Sequence, residues 1–152
     1  MLNRRDLLIL CATWASVGFP VGGLLKPVYA APRDAKNRID ELTGGVAPQK
    51  GRVKITLPAV TDQGRFVPIR VSVDSPMSET DYVKAIHIVS ERNPTPEVAS
   101  FRLSAANGRA EVSTRIRLLQ TQVVLVAAEM NDGSVYLGKG RSKITGGAGG
   151  CG

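Results

Sequence analysis

The last seven residues of the chain, 146–152, contain one side chain capable of covalent chemistry, the thiol of Cys151. The other six are glycine or alanine, and glycine contributes no packing and loses more backbone freedom on ordering than other residues. Fully extended, this segment would carry the sulfur roughly 20 Å from the body of the protein. The pattern therefore predicts an arm whose flexibility comes from five glycines: Gly146, Gly147, Gly149, Gly150 and Gly152.

The chemistry of this thiol is limited by its neighbours. The tail contains no histidine, lysine or arginine that would favour the thiolate, so activation of Cys151 must come from outside the tail. A reachable thiol without activation suits a carrier of covalently attached cargo, because tethering raises its effective concentration at successive partner sites. The alternative is an assembly module whose terminal cysteine forms an intersubunit disulfide. A thiol oxidoreductase acting alone is disfavoured, because a second cysteine close by is missing.

Three cations precede the arm. Lys139, Arg141 and Lys143 alternate along a predicted strand, so a period of two places them on one face. They indicate either a charged edge that resists aggregation or a surface for small anions and acidic docking partners near the base of the arm. The two interpretations are compatible.

The rest of the chain offers little for catalysis. His87 is the only histidine, and in its predicted strand it has the parity of Val83, Ala85 and Val89, which indicates a core or interface residue with one hydrogen bond. No phosphate-binding loop, paired-carboxylate site or nucleophile elbow is present. We therefore expect no catalytic residues, no metal and no cofactor, and a protein that is not an enzyme.

Composition and charge restrict the function further. The chain has 152 residues and a formal net charge of +7, enough for one domain with a real core. Its few aromatic residues provide no stacking platform for single-stranded nucleic acid. The second cysteine, Cys11, lies in a segment that we expect to be removed.

That segment, residues 1–30, has the order of an export signal. Arg4 and Arg5 precede an apolar run, and Ala30 follows Val28 and Tyr29 at a cleavage site. The paired arginines resemble the twin-arginine signal, which predicts a periplasmic protein exported already folded. A retained membrane anchor is the alternative, although the run is short and interrupted by glycine and proline.

The body is predicted to be all-β. Residues 31–49 are expected to form a short helix, Asp34–Leu42 capped by Asp34 and ended by Gly44-Gly45, and a linker. Residues 50–145 are rich in valine, isoleucine and threonine between turn signals, which predicts an immunoglobulin-like antiparallel β-sandwich. The seven predicted strands are Arg52–Leu57, Phe66–Val73, Val83–Val89, Val98–Leu103, Ala110–Arg117, Gln122–Glu129 and Ser134–Ile144.

Several stretches resemble the SoxY family, the sulfur-carrier subunits of the thiosulfate-oxidising Sox system. They are Val67–Met77, Tyr82–Ile88, Asn93-Pro94 with Pro96–Ala99, and Ala110–Arg117, together with the twin-arginine signal and the Gly-Gly-Cys-Gly ending. The resemblance implies an immunoglobulin-like periplasmic subunit paired with SoxZ, a second β-sandwich. It also implies that Cys151 is loaded with thiosulfate by a haem-containing enzyme, that a di-manganese hydrolase releases sulfate, and that later sulfur-oxidising enzymes follow.

The ending departs from the family in one respect. The usual Gly-Gly-Cys-Gly-Gly is replaced by a motif with a single glycine after Cys151, and an extra Gly-Gly-Ala precedes it. The terminal carboxylate is thereby about 3.5 Å closer to the sulfur. For the partner subunit, an apolar sandwich face that includes Ile86 or Ile88 is the candidate surface.

Overall fold

The computed structural model describes residues 31–146, and this part of the chain forms one helix packed on a two-sheet sandwich. The elements are α1 (Pro32–Leu42), β1 (Val53–Thr56), β2 (Val60–Thr61), β3 (Val67–Val73), β4 (Val83–Ser90), β5 (Glu97–Arg102), β6 (Glu111–Ile116), β7 (Gln122–Met130) and β8 (Val135–Ile144). A single 3₁₀ turn, Ala105–Asn107, joins β5 to β6.

The strands form a three-stranded sheet in the order β1-β3-β6 and a five-stranded sheet in the order β2-β8-β7-β4-β5. This arrangement confirms the predicted immunoglobulin-like β-sandwich. Each of the seven predicted strands is present, with both ends within one residue of the prediction. The sequence did not indicate β2, a two-residue strand that pairs in parallel with β8, whereas the other strand pairs are antiparallel.

The core lies between the sheets and is aliphatic. Along β3, Val67, Ile69 and Val71 are buried and alternate with more exposed residues, as expected for a sheet with one solvated face. Ile86 and Ile88 of β4 face the same core and are both 0% exposed. The expectation that either isoleucine contributes to a partner-binding face is therefore wrong, because the opposite sheet already covers both.

Helix α1 covers the outer face of the five-stranded sheet. Ala35 and Ile39 pack against a second apolar cluster that includes Val89, Leu125 and Ala127. The predicted N-terminal cap is wrong: the helix begins at Pro32, in keeping with the preference for proline in the first turn, and Asp34 lies inside that turn. Its carboxylate accepts a hydrogen bond from the Ala31 backbone at 2.7 Å, so it still satisfies a helix-terminal donor.

The chain leaves the helix through two glycines, as predicted. Gly44 and Gly45 have φ angles of 67° and 76°, in the left-handed region that glycine adopts without steric cost. The Gly45 backbone donates to the carbonyl of Asp40 at 2.7 Å, which satisfies one of the last carbonyls of the helix.

The first strand lies close to the last strand, because β8 carries two glycines on its inner face. A Cβ atom at Gly138 would approach Cγ1 of Val53 to 2.7 Å, and one at Gly140 would overlap the side chain of Leu57. The missing side chains therefore let β1 lie directly over β8, which closes this side of the sandwich. We call this side, lined by Val53, Ile55, Leu57, Gly138 and Gly140, the closed side.

Candidate functional site

The point at which the predicted arm leaves the sandwich is fixed from two directions. Beside β2, the Thr145 backbone donates to the carbonyl of Thr61 at 2.9 Å, and Lys143 donates to Ala59 at 2.8 Å. On the side of β7, the Ile144 backbone donates to the hydroxyl of Thr121 at 3.0 Å. The chain is therefore held by hydrogen bonds as far as Thr145, and the base of the arm has a defined position.

Gly146 has a packing requirement in addition to its predicted flexibility. A Cβ atom at this position would overlap the backbone carbonyl of Asp62, which is rigid compared with the end of a side chain. Glycine is therefore the residue that lets the chain pass this close to the β2 segment. The other predicted arm residues, Gly147, Gly149, Gly150, Cys151 and Gly152, lie outside the described residues, so their roles remain predictions.

The three predicted cations are all exposed and lie on the face of the five-stranded sheet that also carries α1. Their register places Lys139 opposite Leu125 and Arg141 opposite Val123. At Lys143, β8 is not a sheet edge, because Val60 of β2 pairs with it there.

Arg141 is the one of these three that lines a groove at the base of the arm. This groove has a volume of about 500 Å³ and is also lined by Arg92, Gln120, Thr121 and Gly146. Neither arginine makes an ion pair within residues 31–146. Two uncompensated guanidinium groups beside the arm create a local preference for anions. Arg92 lies in the turn after β4, and only the tertiary structure brings it near β8.

A second polar group lies under the C-terminal half of α1. Arg38 on the helix binds the carboxylate of Glu97, Ser100 donates to the same carboxylate at 2.7 Å, and Nδ1 of His87 lies 2.8 Å from the Ser100 hydroxyl. His87 is 8% exposed and makes this single hydrogen bond, as the sequence predicted. Its predicted parity with Val83 is wrong, because a register shift between Val83 and Ala85 turns Val83 into the core.

The histidine, serine and glutamate do not form a catalytic triad. The Ser100 proton is donated to Glu97, whose pKa is lowered by its hydrogen bonds to Arg38 and Ser100. Nδ1 of neutral His87 must then carry the proton and donate to Ser100, so the imidazole is not placed to remove the serine proton. The remaining ring nitrogen, Nε2, is buried and has no hydrogen-bond partner among residues 31–146. This arrangement ties α1 to β4 and β5 and provides no nucleophile.

Burial lowers the pKa of His87, and the nearby Glu129 and Glu97 oppose this effect. The neutral form therefore predominates at neutral pH. A protonated ring would bury a second N–H without an acceptor, which is costly.

Metal ligation has little support in the described residues. Within residues 31–146, no three histidine, cysteine, aspartate or glutamate side chains are grouped closely enough to hold a metal ion. In the same range, no helix has the length and apolar character needed to cross a membrane.

Comparison with known proteins identifies a family and a fold. Residues 39–151 match the family model of the sulfur oxidation protein SoxY, a match that reaches Cys151. No curated protein showed significant sequence similarity to the chain.

The solved structures with a similar fold are superoxide reductases of low sequence identity. The superoxide reductase (neelaredoxin) of Ignicoccus hospitalis is 15% identical, with a TM-score of 0.54 over 76% of this chain and 94% of that chain. A candidate superoxide reductase from Thermotoga maritima is 13% identical, with a TM-score of 0.53 over 64% of this chain and 93% of that chain. At such identities the likeness concerns the fold alone.

Proposed function

The chain belongs to the SoxY family of sulfur oxidation proteins, and we propose that it is a covalent carrier of sulfur intermediates on Cys151. Membership of the family places it in sulfur oxidation by the Sox system. The observation that carries the proposal is that the Cys151 thiol follows, five residues later in the sequence, a fixed exit point at Gly146. Five extended residues would give the sulfur a reach of about 17 Å from that point.

The described residues support a carrier rather than a catalyst. His87, Ser100 and Glu97 are the residue types of a catalytic triad, but Ser100 donates its proton to Glu97 and not to His87, so their hydrogen bonds are structural. The thiol would therefore depend on groups supplied by each partner enzyme. Arg92 and Arg141, beside the base of the arm, would favour an anionic sulfur species over a neutral one.

The proposed cycle has an oxidative loading step and a hydrolytic release step. The thiolate of Cys151 bonds to the outer sulfur of thiosulfate, and the two electrons released are taken by a haem-containing loading enzyme. Water then attacks the terminal sulfonate sulfur in the di-manganese hydrolase, the bond between the two cargo sulfurs breaks, and sulfate leaves; one proton of the water passes to the persulfide and the other to solvent. A persulfide remains on Cys151, and later sulfur-oxidising enzymes act on it.

The setting of this cycle is also part of the proposal. We place the mature protein in the periplasm after twin-arginine export and cleavage of residues 1–30. We expect it to work as a heterodimer with a SoxZ-like β-sandwich subunit.

Intact-mass spectrometry tests the carrier role. The reduced protein, incubated with thiosulfate and the loading enzyme, should gain the mass of one thiosulfonate group. The Cys151→Ala variant keeps the whole of the described body and should gain nothing. An adduct of equal yield on Cys151→Ala would refute the proposal.

Non-reducing electrophoresis separates the carrier from the alternative intersubunit disulfide. A carrier should run at the masses of its separate subunits, with the thiol free or capped by a small sulfur species. A quantitative, reducible cross-link through Cys151 would instead favour the assembly role.

A further inference from the structure

The side of the sandwich opposite the closed side has two unpaired strand edges. Within residues 31–146, the three-stranded sheet ends at β6, which pairs only with β3, and the five-stranded sheet ends at β5, which pairs only with β4. We call this side, formed by β5 and β6, the open side. Unpaired edges are templates for an additional strand.

The register of β6 shows which of its backbone groups are free. Val73 lies opposite Ala110 and donates its N–H to that carbonyl at 2.9 Å. In an antiparallel pair such hydrogen-bonded positions alternate, so Val112, Thr114 and Ile116 also bond to β3. The alternate residues Glu111, Ser113 and Arg115 therefore direct their N–H and C=O groups away from β3, towards the open side.

Apolar side chains on the open side are only partly covered. Val98, Phe101 and Leu103, in or next to β5, and Val112 of β6 pack against the core but are not fully buried. On the neighbouring strand, Ile86 is completely buried. The difference arises because a three-stranded sheet faces a five-stranded one, and no strand beyond β6 covers the inner face of β5.

The charges beside this edge are mostly positive. Arg115 and the following Arg117 are exposed, and neither makes an ion pair within the described range. The carboxylate of Glu111 forms an ion pair with Arg70 on β3, with 3.4 Å between Oε1 and Nε. A strand added beside β6 would place its outward side chains next to Ser113 and Arg115, where acidic residues would be favoured.

We propose that the edge of β6 receives a strand from the second β-sandwich subunit, which becomes the fourth strand of the three-stranded sheet. This assignment rests on the proposed heterodimer. The incoming strand would alternate apolar residues, which cover Phe101 and Leu103, with acidic residues beside Arg115. The other end of the three-stranded sheet, β1, already lies over β8, and a strand added to β5 would leave the inner face of β5 uncovered, so β6 is the edge that such an addition completes.

Hydrogen exchange of the whole subunit, with and without the SoxZ subunit encoded by the same organism, tests the proposal. Binding should slow exchange of the Glu111, Ser113 and Arg115 amides, because each gains a hydrogen-bond acceptor. Protection confined to other surfaces, or no heterodimer at all, would overturn it. Equal protection without the SoxZ subunit, at concentrations that give a homodimer, would overturn it in favour of a second copy.

Substitutions at the edge give an independent test. Ser113→Pro removes an N–H that β3 does not use and should weaken heterodimer affinity about tenfold or more, whereas Ser113→Ala retains that N–H and should bind normally. Arg115→Glu should also weaken binding, and Lys54→Glu, on the far strand β1 of the same sheet, should not. Normal affinity of both Ser113→Pro and Arg115→Glu would refute the assignment, and if Ser113→Pro does not fold, Arg115→Glu decides.

Measuring thiosulfate loading of Cys151 in the same heterodimer shows whether the docking proposal for β6 or the proposed carrier function is wrong. If thiosulfate loads Cys151 while the β6 amides remain unprotected in the heterodimer, the carrier role stands and the docking assignment falls. If the β6 amides are protected but Cys151 takes up no sulfur, the reverse holds.

Discussion

The two long sides of this sandwich are built in opposite ways. On the closed side, Gly138 and Gly140 let β1 lie against β8, and the short strand β2 pairs with the end of β8. Both sheets end on each side, at β1 and β2 on the closed side and at β5 and β6 on the open side, but on the open side no described strand lies over β5, and Phe101 keeps contact with solvent. The first arrangement completes the fold from within the chain, and the second leaves a place for another strand.

The base of the predicted arm and the proposed partner strand lie at different strands of the sandwich. The base of the predicted arm lies at the end of β8, beside β2 and thus on the closed side, where hydrogen bonds hold Thr145 in place. The proposed partner strand would lie on the open side.

The largest effect is expected on the closed side. Gly140→Val would place a side chain where Leu57 lies and should lower the free energy of unfolding by about 1–3 kcal/mol or more, the usual cost of overpacking. Ser113→Val introduces the same side chain at an exposed position on the open side. It should change the free energy of unfolding by about 0.5 kcal/mol or less. Urea denaturation of both variants measures the difference, and equal losses would show that the two sides are not distinct.

A smaller effect on stability is expected at Phe101. In the isolated subunit, Phe101→Ala should cost only about 1 kcal/mol, well below the roughly 3–5 kcal/mol typical of a fully buried phenylalanine, because solvent already reaches part of the ring. In the heterodimer the loss should grow, since the added strand would bury the ring. Thermal unfolding of the variant with and without the SoxZ subunit tests this, and an identical loss in both states would argue against a buried Phe101 in the complex.

The smallest effect is expected from pH. The pKa of His87 is lowered in the folded protein, so the unfolded state binds the proton first as the pH falls, and stability declines below about pH 6.5. The charged groups facing His87 are Glu97 and Arg102 of β5, Glu129 of β7 and Arg38 of α1, and the carboxylates reduce the effect without reversing it.

His87→Asn keeps an N–H donor for Ser100 and removes the titration. Its free energy of unfolding should therefore change less than that of the wild type between about pH 7 and pH 5.5. Glu97 contributes in the same direction only at lower pH, because its own pKa is lowered from an already acidic value. Parallel curves for the two proteins in this window would exclude His87 as the source.

Much of the fold could be predicted from local patterns. Alternation in β3 and β6, and turn residues between the strands, located seven strands because each pattern reflects one buried face. The strand β2 could not be predicted because a segment of two residues is too short to show an alternating pattern. The prediction that Ile86 or Ile88 contributes to a partner-binding face is wrong because the sequence pattern of an apolar strand face is the same whether that face packs against a partner or against the opposite sheet.

The site could be predicted only in part. The composition of the tail indicates an arm, but the contact that requires glycine at Gly146 depends on Asp62, which is distant in sequence. Likewise, Arg92 lies beside Arg141 only because the turn after β4 folds towards the end of β8. Such long-range juxtapositions leave no local signal in a single sequence.

The most direct test is peptide mass spectrometry on the protein isolated from cells oxidising thiosulfate. Trypsin should release the peptide 144–152, which contains Cys151 as its only cysteine. The carrier account predicts thiosulfonate and persulfide forms of this peptide, both removed by reductant. A peptide found only as a free thiol or as a disulfide with another chain would contradict it.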